Sequence, residues 1–311
     1  MRLSRSEVNV VQRLQRLATQ WEPLTTTNHT PTQWFIEPGA ENSPTLALAK
    51  NALLGAQSLL ARPDSFDTNP ISIGVGRSQT FLKNTVAALN CRPNLDQSAG
   101  YYIMGATLCL RRVITINLTG YFFIYSLSDI GNTANEKRAE PAISATSYLI
   151  VDRNISSLAH EWTHVARALP TEGHIALNEP AWLREGMAEI VSGLSRVKAS
   201  QGKMTFLEFH VIRMRKFSNW PNHCRLSLTQ YRLDSTSVRG CEYLRGAAAV
   251  EVLLANYGGL LKVMQLYDDA HHTGDFYQSF RNIYGISMRT FEIRADNYAK
   301  LISQAATYQP H

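Results

Sequence analysis

The sequence has no apolar stretch approaching the length of a membrane span, so no integral membrane segment is expected. It also lacks the charge excess and low hydrophobicity of a disordered chain: 44% of its residues are hydrophobic and 18% charged. At 311 residues it can bury a real core, as one large or two modest domains. Although the net charge is +6, there is no dense Lys/Arg stripe beyond Arg213-Met214-Arg215-Lys216. Such a short run reads as a solvated helix face, and nucleic-acid binding is not expected.

Cysteine is scarce. The four residues show no C-x-x-C spacing, which argues against a zinc knuckle or a thioredoxin-like motif. They fall into two local pairs, Cys91 with Cys109 and Cys224 with Cys241. Two short disulfide loops would suit a secreted or periplasmic protein; four buried thiols are the alternative. Met1 to Arg5 lacks the apolar core of a secretory signal, so export by that route requires a leader already removed. Gly74-Val75-Gly76-Arg77-Ser78 lacks both the third glycine of a dinucleotide fingerprint and a Gly-Lys-Ser/Thr ending, and reads as a strand-to-helix turn. There are no internal repeats.

Periodicity predicts helices over Ser6 to Trp21, Pro44 to Ala61 and Ser78 to Leu89, and a strand over Ile71 to Gly76. Thr25 to Asn42 reads as a polar connector. Ala106 to Asn117 and Tyr121 to Leu127 are β-rich, and Ser147 to Asp152 reads as a short buried strand. From Ser192 the pattern is helical, with a polar loop from Ser218 to Gly240. Three segments follow: an N-terminal helical segment (1–65), a sheet with the motif-bearing helices (66–195) and a C-terminal helical subdomain (196–311).

What is present is His160-Glu161-Trp162-Thr163-His164, an H-E-x-x-H run. Residues four apart on a helix lie one turn above each other, so His160 and His164 can aim two imidazoles at one ion. Glu161 then sits beside that ion, where its carboxylate can take a proton from a water that the ion activates. Asn154, Ser156 and Ser157 offer N-caps, and Leu158, Ala159, Trp162, Val165, Ala166 and Leu169 form a core-facing side that Pro170 ends.

A catalytic zinc needs a third protein ligand and an open position. The metzincin continuation H-x-x-G-x-x-H is excluded, because Arg167 and Pro170 stand where its Gly and His would be. A second helix follows, with Asn178 as candidate cap and Pro180 in its first turn: Trp182-Leu183-Arg184-Glu185-Gly186-Met187-Ala188-Glu189. Gly186 and Ala188 allow a close approach. Glu185 and Glu189 are one turn apart, so one can bind metal while the other orients a ligand histidine. Glu172, His174 and Glu179 in the intervening loop compete for the third position, but only Glu185 combines a helix, small neighbours and a second carboxylate.

These two helices resemble those of the gluzincin peptidases, which include thermolysin-like and aminopeptidase-N-like enzymes, and above all the bacterial peptidase-MA-like domains with a W-L-x-E-G-x-A-E helix. The resemblance spans about half the chain, from Ser147 to Tyr298. By matching position it implies Zn²⁺ held by His160, His164 and Glu185, Glu161 as general base, and Glu189 as the carboxylate behind a ligand histidine, His160. Tyr243-Leu244-Arg245-Gly246 is similar to the Y-x-K-G segment of the aminopeptidase-N-like enzymes, with Arg for Lys, and implies that Tyr243 hydrogen-bonds the tetrahedral intermediate. An ordinary helix-start aromatic is the other reading of Tyr243; His210, His223, His271 and His272 are further candidates for that role.

The G-x-M-E-N segment that grips a substrate amine has no match; Ala139-Glu140-Pro141-Ala142-Ile143 stands in that region. Endopeptidase and aminopeptidase both stay open. The expectation is therefore an α+β, zincin-like fold, a mixed β-sheet with the active-site helix followed by a helical subdomain, hydrolysing peptide or protein substrates with zinc. A catalytically inactive zinc-stabilised binding protein of the same fold is the alternative, although Glu161 has no use in a purely structural site. A basic interaction module independent of metal is a third class.

Overall fold

The computed structural model describes residues 3–19, 31–60, 70–90, 105–108, 113–118, 148–167, 178–200, 202–211, 227–231 and 241–307. In chain order they form α1 (Arg5–Thr19), β1 (Thr32–Ile36), α2 (Pro44–Leu59), β2 (Ile71–Gly76) and α3 (Gln79–Ala88). Next come β3 (Gly105–Leu108), β4 (Val113–Asn117), α4 (Tyr148–Ala166), α5 (Ala181–Ala199), α6 (Phe206–His210) and a 3-10 turn (Leu228–Tyr231). The last four are α7 (Cys241–Tyr257), α8 (Gly259–Thr273), α9 (Phe276–Tyr284) and α10 (Met288–Thr307). Helices dominate beside one small sheet, an α+β composition. No single helix among the described residues is long and apolar enough to cross a membrane. Chain contacts divide the protein into two compact units, Leu24–Gly173, and Met1–Pro23 together with His174–His311.

In the unit Leu24–Gly173 the sheet order is β1-β2-β4-β3. β1 runs parallel to β2, with Trp34 opposite Ile73, and β2 runs parallel to β4, with Ile73 opposite Ile114. β3 lies antiparallel at the edge, with Thr107 opposite Ile114, so the sheet is mixed. Ile71, Ile73 and Val75 of β2 and Val113, Ile114 and Ile116 of β4 are all buried, the near-continuous apolar pattern of central parallel strands. α2 starts at the Ser43 cap, whose hydroxyl accepts from the Leu46 N–H at 3.2 Å, with Pro44 in its first turn. It packs along α4, which also contacts β3 and β4.

Two expectations are corrected here. Thr32–Ile36, expected inside a polar connector, is a strand: Trp34, Phe35 and Ile36 suit a pleated surface, and their pairing with β2 is a distant contact that a local reading does not see. Ser147 to Asp152, expected as a strand, is the start of α4, which begins at Tyr148. No Pro or Gly interrupts the chain from Tyr148 to Ala166, and the weak strand preference of Ile150 and Val151 yields to the helix around them. Asn154, Ser156 and Ser157 accordingly lie inside the helix and do not cap it.

The turn after β2 holds an internal anion. The Glu37 carboxylate accepts the backbone N–H groups of Arg77 and, at 3.1 Å, of Ser78, just before α3. Burial pushes this carboxyl up, but hydrogen bonds from the Ser78 hydroxyl and the two backbone N–H groups outweigh it and hold its pKa below the ordinary value.

In the other unit α5 and α7 form the most extensive helix pair, and α7 also packs against α1, α8 and α10. Trp182 stacks on Phe291 (centroids 5.7 Å apart), which meets Phe280 at 5.5 Å. Phe276, Phe280 and Tyr284 are buried, as their helical spacing predicts. Asn178, expected to cap α5, instead accepts the Phe276 N–H at 2.9 Å and donates to Asp275 at 3.1 Å, at the start of α9; Pro180 occupies the cap position of α5. A buried charged network crosses this unit. His210 Nδ1 lies 2.9 Å from Glu251 Oε1 and its Nε2 lies 3.5 Å from Glu7 Oε1, while Tyr298 donates to Glu251 Oε2 at 2.8 Å. Burial alone would lower the His210 pKa; the Glu251 and Glu7 carboxylates overcome it and raise it to about 9.

Candidate metal centre

α4 divides its residues by chemistry. Leu158, Ala159, Trp162, Val165 and Ala166 are buried, while His160, Glu161 and His164 are half-buried. Because the two histidines are one turn apart, their rings converge, with centroids 4.9 Å apart and planes at 78°. His160 Nε2 and His164 Nε2 stand 3.2 Å from each other. Two imidazole nitrogens at that separation, each at a zinc–nitrogen bond length, subtend an angle of about 100° at the ion, close to tetrahedral.

Glu185, the third ligand that the resemblance implies, belongs to the other unit. Two neutral imidazoles and one carboxylate are the donor set that suits Zn²⁺, though the same set also takes other divalent transition metals. Glu185 is buried in the first turns of α5, and Arg184 Nε donates to its Oε1 at 2.9 Å. That ion pair puts a positive charge beside the Glu185 carboxylate. Sequence reading missed Arg184, whose role depends on where two adjacent side chains turn.

Among the competing ligands, Glu179 accepts the Tyr267 hydroxyl at 2.8 Å; Glu172 and His174 lie outside the described residues. Glu189 is buried one turn along α5 from Glu185. Tyr243 is half-buried in the first turn of α7. Of the alternatives to Tyr243, His210 is taken up by the Glu7–Glu251 network, His271 and His272 are exposed at the end of α8, and His223 lies outside the described residues. Glu140 and the cysteines Cys91, Cys109 and Cys224 lie outside them as well.

The segment after Tyr243 has a packing role. Arg245 is buried and donates to Asp296 Oδ1 at 2.7 Å, and Asp296 also accepts the Leu228 N–H at 3.1 Å. Gly246 abuts Gly186, so backbones of α7 and α5 meet without a side chain between them. In comparisons with known proteins, the chain matches no family model, no curated protein and no solved structure.

Proposed function

We propose that the chain is a zinc-dependent peptidase of the gluzincin type with a zincin-like fold. The observation that carries this reading is the pair of imidazole nitrogens, His160 Nε2 and His164 Nε2, brought to 3.2 Å on one face of α4 beside Glu161. When bound there, zinc supplies a Lewis acid that brings the pKa of a water to about 7. His160 and His164 hold the ion as neutral imidazoles and Glu185 as a carboxylate, leaving it a net positive charge. The Glu161 carboxylate accepts the proton of the attacking water and returns it to the departing amine nitrogen. Tyr243 donates its phenolic proton to the oxyanion without bringing charge of its own. Glu189 orients His160 through the ring nitrogen that faces away from the ion.

Cleavage of a peptide library, with and without a chelator, tests this reading. The expected result is hydrolysis that the chelator abolishes and added zinc restores, with the product ends reporting endopeptidase or aminopeptidase action. Zinc bound at the site without any cleavage would make the ion a stabiliser of a binding protein instead.

A further inference from the structure

We infer that Gly246 is a positioning residue for the metal site, setting where α5 holds Glu185; this rests on Glu185 being a zinc ligand. A Cβ on Gly246 would stand 2.1 Å from the Trp182 carbonyl oxygen and 3.0 Å from the Gly186 nitrogen. A Cβ on Gly186 would stand 2.3 Å from the carbonyl carbon and oxygen of Gly246. Both encounters are with backbone, which cannot rotate aside as a side-chain tip can.

Neither helix has an easy direction in which to yield. On α5, Trp182 is fully buried, donates from Nε1 to Glu292 Oε1 at 3.2 Å and stacks on Phe291. On α7, the neighbouring Arg245 is tied to Asp296, which in turn holds the Leu228 N–H. A methyl group at Gly246 therefore displaces the turn Trp182–Gly186, and Glu185 rides on that turn. Metal sites lose about 10–100-fold in affinity when the groups that orient a ligand are disturbed.

Gly193 provides a control on the same helix. It lies two turns further along α5, where an added Cβ would meet the Phe209 ring at 2.4 Å. Zinc affinity is measured by competition with a chromophoric chelator for the full-length wild type, Gly246→Ala, Gly193→Ala and Glu185→Ala, with metal-free denaturation curves for each. Gly246→Ala is expected to weaken zinc binding at least tenfold, while Gly193→Ala stays within about threefold of wild type. A folded Gly246→Ala that binds within threefold of wild type overturns the inference, as does a Gly193→Ala that loses as much. If Gly246→Ala does not fold, hydrogen exchange on the wild type decides. Zinc slowing exchange at amides 245–249 of α7, which holds no ligand, supports the coupling, and unchanged exchange there overturns it. A wild type that binds no zinc, or a Glu185→Ala that binds as tightly, brings down the metal-site reading and this inference together. A defect in Glu185→Ala without one in Gly246→Ala removes only the inference.

Discussion

His160 Nε2 and His164 Nε2 stand 3.2 Å apart on adjacent turns of α4, a separation that two nitrogens bound to one tetrahedral cation would have. The proposed chemistry divides between this pair and the carboxylate next to it. His164→Ala should remove zinc binding and hydrolysis together. Glu161→Gln should keep zinc, measured by metal analysis after dialysis, yet lose about 100-fold or more of the cleavage rate. Native-rate cleavage by Glu161→Gln would falsify the general-base assignment.

Tyr243→Phe removes only a phenolic oxygen. Cleavage should fall by about 100-fold through kcat, with KM and zinc content near wild type. A variant with unchanged kcat returns Tyr243 to the role of a packing residue at the start of α7.

The His210 network gives a stability prediction that does not involve metal. With its folded pKa raised to about 9 from the ordinary 6.5, His210 contributes stability that is fully present below pH about 6.5 and is lost as the pH rises through about 9. The groups facing it are Glu7 on α1, Glu251 on α7 and, through Glu251, Tyr298 on α10. Urea denaturation of the metal-free protein across that range should show the decline. His210→Gln, which leaves two buried carboxylates without their cation, should cost about 3–5 kcal/mol at pH 6.

Glu37 carries the opposite sign. Its lowered pKa means its contribution is present above pH about 4.5 and disappears as the pH falls through the folded value. Glu37→Gln should cost about 1 kcal/mol at pH 7, comparable to losing a helix cap, and the difference from wild type should vanish in acid. A difference that persists unchanged at pH 3 would assign the effect to side-chain shape instead of charge.

What could be read from the sequence was what is local in it. The H-E-x-x-H spacing already places two rings on one helix face, as α4 shows. Helix boundaries with a chemical sign, such as Ser43-Pro44 and Ser78, lie where the structure has them. Readings failed where the deciding contact is distant. Thr32–Ile36 becomes a strand only by pairing with Ile71–Val75, and Tyr148–Asp152 is helical because nothing breaks α4 behind it. Asn178 serves α9, almost a hundred residues on, and not the helix it precedes. Likewise, no local pattern links Glu7, His210, Glu251 and Tyr298, or shows that Gly246 lies against Trp182 and Gly186.

Equilibrium zinc binding by wild type and Glu185→Ala tests most directly whether Glu185 completes the site. Wild type should take up one zinc per chain, and Glu185→Ala should bind it roughly a hundredfold or more weakly while unfolding like wild type in the metal-free state. Equal zinc affinity for the two proteins would contradict it.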